Sequence, residues 1–314
     1  MKPITILAKS IAAAGLFSLA MAAPGSAQDA FPSKDITFVV QAAAGGASDR
    51  TSRAIAAEME KDLGVSVIVE NRPGASGTVA FAHVAEQPAD GYTIGFGPVE
   101  FAIVEHIGYD FDRSDYTYLG QVMNSPVVLA VAANSPYNTL DEFIEAAKTK
   151  EMSVSNSGAA SAFAATAYTL AKMTGAKITP VPFDGGAPAV AAALGNHVDA
   201  VTAGAGETAI GFADGTLKVL AIFADEAHPE FPGVKTAAEQ GYDLAFGAWG
   251  GIYGPAGIPD DVKAILEGSI KKAAASQTFL DTVTPAGILP AYKSGDEWEK
   301  FIDEEAARYA DVLK

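Results

Sequence analysis

From Asp35 onward, short β-branched apolar runs alternate with stretches whose apolar residues recur every three or four positions. Ile36-Thr37-Phe38-Val39-Val40 predicts a buried strand, and Ser48 to Leu63 a helix with Ile55, Met59 and Leu63 on one face. A strand over Val65–Glu70, a helix over Thr78–Glu86 and a strand over Tyr92–Phe96 follow. Tyr116 to Ala133 breaks the rhythm as one long extended stretch centred on Val127-Val128-Leu129-Ala130-Val131. The alternation then restarts, with helices over Leu140–Lys148, Ala160–Met173, Ala187–Leu194 and Thr208–Phe212. The strands between and after them cover Ser153–Asn156, Ile178–Pro182, Val198–Thr202 and Val219–Phe223. Ala245 to Pro259 reads as a second irregular stretch, and helices over Asp260–Ala275, Gln277–Val283 and Gly295–Leu313 fill the C-terminus. Repeated βα alternation predicts an α/β fold with a mostly parallel sheet covered by helices on both faces. Two modules are expected, with crossings near residues 120–130 and 245–255 and the C-terminal helices returning to the first. The default ligand site of such an arrangement is the cleft between modules, beyond the carboxyl ends of the strands.

The N-terminus departs from this pattern. Lys2 and Lys9 precede an apolar run from Ile11 to Ala23, and Gly25-Ser26-Ala27 supplies small residues after it. A basic start, a run too short to span a bilayer and a small-residue exit predict a secretory leader cleaved after Ala27. No cysteine occurs in the 314 residues, so neither lipid attachment at a cleavage-site cysteine nor a disulfide is expected. The formal charge of −17 argues against nucleic acid as a partner, because phosphate contact needs clustered Lys and Arg. It also means that any anion site must be local.

The loops that follow the predicted strands are rich in small residues. They are Ala42-Ala43-Ala44-Gly45-Gly46-Ala47-Ser48-Asp49, Asn156-Ser157-Gly158-Ala159-Ala160-Ser161, Phe183-Asp184-Gly185-Gly186-Ala187 and Ala203-Gly204-Ala205-Gly206. The first three run straight into helices, whose free N–H groups and partial positive charge make local anion sites. The same residues also serve structure: Asp49 suits a helix start, Ser157 and Ser161 suit helix caps, and Asp184 suits a turn. Tyr109, Phe101 and Phe163 are aromatic candidates either for a pocket or for the core.

Nothing in the chain points to catalysis. His83, His106, His197 and His228 are scattered without metal-ligand spacing, and there is no Gly-x-Ser-x-Gly elbow, phosphate-binding Gly-Lys loop or cysteine nucleophile. A binding protein without metal or cofactor is expected.

Five segments carry a family resemblance: Val39 to Asp49, Val69-Glu70-Asn71-Arg72-Pro73-Gly74-Ala75-Ser76-Gly77, Ala89-Asp90-Gly91-Tyr92-Thr93, Val181 to Ala189, and Trp249 to Pro259. In this order, from about Phe31 to the C-terminus, they resemble the Bug family of TctC-type periplasmic receptors of tripartite tricarboxylate transporters. The resemblance implies a periplasmic-binding-protein clamshell of two α/β domains joined by crossing strands. The expected division is a leader at 1–27, one domain from 28–122 with 248–314, and a second at 123–247. It implies a di- or tricarboxylate, acidic amino acid or aromatic acid as ligand, held by loop backbone, hydroxyls and water. Carried over by position, the contacts are Ala44, Gly45, Gly46 and Asp49 on one side, and Ser157, Gly158, Ser161, Asp184, Gly185 and Gly204 on the other. The expected protein is a periplasmic monomer that delivers ligand to membrane permease subunits or, alternatively, presents its bound form to a sensor kinase.

Glu70 to Gly74 is read as a corner, with Arg72 in an ion pair or hydrogen bond rather than at the ligand. Two departures from the family pattern matter. Gln41-Ala42 stands where the family has proline and an aromatic residue, which enlarges one wall of the cleft and adds an amide. Asp184 stands where many members carry a basic residue, and an acid there repels a second ligand carboxylate unless it faces away or meets a ligand hydroxyl or amine.

Overall fold

The computed structural model describes residues 31–159, 161–183 and 185–312, with the side chains of 286, 311 and 312 left aside. The expected leader, Ala160 and Asp184 lie outside the described residues. The predicted alternation is present. Strands β1 (Ile36–Val40), β2 (Val67–Asn71) and β3 (Thr93–Pro98) alternate with helices α1 (Ala47–Leu63) and α2 (Thr78–Ala85). After β4 (Tyr116–Ala132) come α3 (Leu140–Thr149), β5 (Met152–Asn156), α4 (Ala162–Thr174), β6 (Ile178–Pro182), α5 (Gly186–Leu194), β7 (Ala200–Gly204), α6 (Ala205–Ala213) and β8 (Leu217–Phe223). The chain ends in β9 (Gly247–Pro255), α7 (Asp260–Ala274), α8 (Gln277–Val283), β10 (Leu289–Lys293) and α9 (Gly295–Val312). Among the described residues no helix is long and apolar enough to cross a membrane.

Local chemistry sets several helix limits. Gly64 and Gly175 adopt the left-handed conformation that ends α1 and α4 (φ 74° and 69°), which costs glycine nothing. The Thr139 and Ser161 hydroxyls accept from the third residue of α3 and α4.

The strands hydrogen-bond in the order β2-β1-β3-β9-β4-β7-β5-β6, with β8 and β10 also pairing β4. β1 lies parallel to β2 and β3, and β5 parallel to β6 and β7. Every pairing made by β4 or β9 is antiparallel. The sheet is therefore mixed rather than mostly parallel, because β9 runs against the group around β1 and β4 against the group around β5. β4 pairs β9 from Tyr116 to Pro126, then turns to β7 and β8 from Val127 onward.

β9 corrects the expectation of an irregular stretch over Ala245–Pro259. Its glycines weaken the strand signal in sequence, since glycine in a strand loses entropy and packs no side chain. Here they permit close approach. A Cβ on Gly251 would sit 2.5 Å from the Gly120 carbonyl oxygen, 2.7 Å from Trp298 and 2.8 Å from the Gln121 Cα, and one on Gly250 would overlap the Phe96 ring. β10, also unforeseen, is short and half-exposed and pairs β4 through an irregular register.

Next to the β3–β9 pairing lies a cluster of aromatic rings. Phe101 meets Phe81 and Tyr253 at 4.6 Å each, and Tyr116 meets Tyr253 edge-on at 5.1 Å. Such pairs contribute about 0.5–1.5 kcal/mol each beyond burial. Phe101, fully buried, belongs to this core.

Gly251→Ala is expected to cost about 1–3 kcal/mol through overpacking against backbone. Gly268→Ala on α7, where nothing lies within 4 Å of the added carbon, is expected to gain up to about 1 kcal/mol. Denaturant midpoints of the two variants check this, and an unchanged midpoint for Gly251→Ala contradicts the close-packing account.

Candidate functional site

A cavity of about 520 Å³ opens where the loops after β1, β3 and β5 meet the middle of β4 and the start of β9. The β1–α1 loop contributes Gln41, Ala42, Ala47 and Ser48, the β5–α4 loop contributes Ser157, Gly158, Ser161 and Phe163, and the crossing strands contribute Met123, Ala248 and Trp249. Ser76, Phe96, Pro98, Val99 and Glu100 also line it, as do Ala159 and Ala162. Phe163, an aromatic candidate from sequence, lines it; Tyr109 does not.

Two helix N-termini open onto this cavity. α1 begins at Gly46, which has no side chain to cap it, so the first-turn N–H groups of Ala47 and Ser48 have no intrahelical partner. α4 begins after Ser161, whose hydroxyl accepts from Ala164 N–H (3.2 Å) and donates to the Gly158 carbonyl (2.6 Å). Ser161 is thus engaged as a cap, while the first two amides of α4, those of Ala162 and Phe163, lack intrahelical acceptors. The hydroxyls of Ser76 and Ser157 also line the cavity, and Gln41 Nε2 donates to Ser48 Oγ (3.0 Å). Ser76 and its neighbour Ala75 have positive φ (54° and 46°), a costly backbone geometry of the kind that concentrates at functional loops.

Asp49 is 2% exposed and absent from the cavity wall. Its carboxylate accepts from Gly45 N–H (2.8 Å), Asn71 Nδ2 (2.9 Å) and Arg53 Nε (3.0 Å). Asn71 also donates to the Ala42 carbonyl (2.9 Å), so the Glu70-Asn71-Arg72 segment holds the β1–α1 loop in place. Arg72 pairs with Glu70 (2.7 Å), the ion pair expected of it. Burial pushes the Asp49 pKa up, but the donors from Arg53, Gly45 and Asn71 outweigh it and hold the group below the ordinary 3.8.

The other sequence candidates fall in different places. Ala44 and Gly45 are exposed on the loop without lining the cavity, and the Gly45 amide is taken by Asp49. Gly46 and Gly204 line a neighbouring cavity of about 580 Å³, which shares Ala47, Met123, Phe163 and Ala248 with the first. The Gly204 amide donates to Glu207 (3.0 Å), and the Glu207 carboxyl also lies against Gly186 at the start of α5. A carboxylate of the protein therefore already occupies the ground between α5 and α6. Gly185 lines neither cavity. The structure thus brings together Ser157, Gly158 and Ser161 with Gln41 and Ser48, and sets Ala44, Gly45, Asp49 and Gly185 apart from them.

Sequence reasoning missed Ser48, Ser76, Met123, Glu100 and Trp249 as wall residues. Ser76 carried a signal, since Gly74-Ala75-Ser76-Gly77 is another small-residue loop leading into a helix. Met123 and Trp249 lie on crossing strands, where only the sheet register reveals them: Asn124, beside Met123, faces Trp249. Among the described residues no His, Cys, Asp and Glu side chains group as metal ligands.

Residues 51–314 match the family model described as tripartite tricarboxylate transporter family receptor. The chain is similar to protein BugT of Bordetella pertussis, 28% identical over 321 residues, covering 98% of this chain and 97% of BugT. A solved TctC solute binding protein from Polaromonas superposes with a TM-score of 0.84 at 29% identity, over 90% of this chain and 99% of that one. MatC from Rhodopseudomonas palustris, solved with bound malate, superposes with a TM-score of 0.73 at 28% identity, over 90% of this chain and 100% of MatC.

Asp49→Ala leaves Gly45, Asn71 and Arg53 without their acceptor and is expected to cost about 1–3 kcal/mol. Because the folded pKa lies below the unfolded one, the carboxylate's contribution is fully present above the unfolded value and is lost as pH falls through the folded one. The stability gap between wild type and Asp49→Asn is therefore expected to hold constant above about pH 5 and to shrink below about pH 4. Thermal unfolding across that range checks this; a gap independent of pH contradicts it.

Proposed function

The chain belongs to the tripartite tricarboxylate transporter receptor (TctC) family, and on that premise we propose that it captures a small carboxylate in the cavity between the β1–α1 and β5–α4 loops and delivers it to a membrane permease. Members of this family are periplasmic solute-binding receptors, not enzymes. The observation that carries the reading is the convergence of two helix N-termini on one cavity whose described lining contains no Lys, Arg or His. Free amides at a helix start, with the partial charge of the helix behind them, suit a carboxylate. The hydroxyls of Ser48, Ser76 and Ser157 add donors at the same wall.

The energy scale is sufficient. Hydrogen bonds to a charged group contribute about 1.5–3 kcal/mol each, so four give roughly 6–12 kcal/mol gross. Association removes about 4 kcal/mol or more. Micromolar affinity, near about −8 kcal/mol, is within reach when the donors are fixed in advance.

Residues 28–122 with 248–314 would form one lobe and 123–247 the other, hinged where β4 changes partners after Pro126. Within this reading, Ala47, Ser48 and Ser76 hold the ligand from the first lobe, and Ser157, Gly158, Ala162 and Phe163 from the second. Asp49 and Ser161 position the two loops. The malate bound by MatC supports a carboxylate as ligand class.

A thermal-shift panel of mono-, di- and tricarboxylates, each beside its carboxamide, tests the proposal. Ligand at about 100 times its Kd stabilises by about 2.7 kcal/mol, which at roughly 2–4 °C per kcal/mol raises Tm by about 5–10 °C. At least one carboxylate is expected to do so, and its carboxamide is not. A folded protein that no carboxylate stabilises contradicts the proposal.

A further inference from the structure

Three acids with pKa values raised by burial flank the two cavities, and they differ in what satisfies them. Glu305, behind Trp249, accepts from the indole N–H (3.3 Å) and pairs with Arg308 (3.1 Å). Glu207 accepts from Gly204 N–H (3.0 Å). Glu100, on the turn that follows β3, has no such partner: its sole donor among the described residues is its own backbone N–H. It also lines the cavity assigned to the ligand, as the one charged side chain among the described lining residues. Its neighbours in that wall are Phe96, Pro98, Val99 and Trp249, and Tyr309, whose buried hydroxyl has no hydrogen-bond partner among the described residues, lies within electrostatic reach without bonding it.

A carboxylate that is half-buried and has no donor from another residue loses solvation, and a partner that arrives with the ligand offsets that loss. An additional ligand carboxylate near Glu100 would raise it. Resting on the receptor reading above, we propose that Glu100 is a specificity-determining residue: it accepts a hydrogen bond from an ammonium or hydroxyl group on the bound carboxylate. The receptor then selects amino or hydroxy acids over plain acids of the same skeleton. The hydroxyls and helix N-termini take the carboxylate, and Glu100 takes the donor.

Matched triplets test this by titration calorimetry at neutral pH: succinate, malate and aspartate, and propanoate, lactate and alanine. In at least one triplet, wild type is expected to bind the hydroxy or amino member at least about tenfold more tightly than the plain acid, a tenfold ratio in Kd being a clear energetic preference. A preference for the amino member identifies an ammonium as the donor, and one for the hydroxy member a hydroxyl. Glu100→Gln and Glu100→Leu are expected to lose that preference and to bind the plain acid more tightly, with Tm no lower than wild type because an unpaired charge has been removed. Plain acids bound by wild type as tightly as their partners, or a preference that survives in both variants, overturns this inference and leaves the receptor reading standing. Binding of no member of either triplet by the folded wild type overturns both for small aliphatic carboxylates. Where one of the two variants fails to fold, the other decides the matter.

Discussion

The antiparallel pairing of β4 with β9 is the constraint on which the rest of the structure depends. It joins the strands paired around β1 to those paired around β5, and it carries the cavity floor, with Met123 on one strand and Ala248 and Trp249 on the other. The pairing needs glycine where Gly250 meets the Phe96 ring and Gly251 meets the β4 backbone. Once these two strands are in register, the loops after β1 and β5 face one another across them. The site follows from that register rather than from any single motif.

Within this frame, the proposed binding of an anion by an acidic protein depends on where its charges are placed. The chain carries a net charge of −17, and no cation stands among the described residues of the cavity wall. Attraction is left to backbone amides and hydroxyls, which act over short distances and lose little to screening when enclosed. Two of the protein's own carboxylates near the cavities are taken up by other donors: Asp49 by Arg53, Asn71 and Gly45, and Glu207 by Gly204. Asp49 consumes the amide of Gly45, yet in doing so it fixes the loop that presents Ala47 and Ser48.

Much of this was legible in the sequence, for identifiable reasons. Strongly periodic segments such as Ser48–Leu63 and buried runs such as Ile36–Val40 lie close to where they were expected, because period and burial act locally. β9 was not legible, since Gly250 answers to the Phe96 ring and Gly251 to the backbone at Gly120, each more than a hundred residues away. Of the site, the loops were readable but the roles within them were not. Asp49 and Ser161 sit in loops that border the cavity, yet their side chains turn inward to hold backbone. Whether a polar group faces a ligand or its own loop depends on donors such as Asn71, which only the fold brings near. Ser76 and Glu100, by contrast, reach the cavity from segments read as structural or left unassigned.

The most direct test is a crystal structure of the protein with a carboxylate that stabilises it. The account predicts the carboxylate between Ala47-Ser48 and Ala162-Phe163, within hydrogen-bond distance of backbone amides from both helix starts. A carboxylate held instead by Arg50 in the neighbouring cavity, or by surface lysines away from β4 and β9, would contradict it.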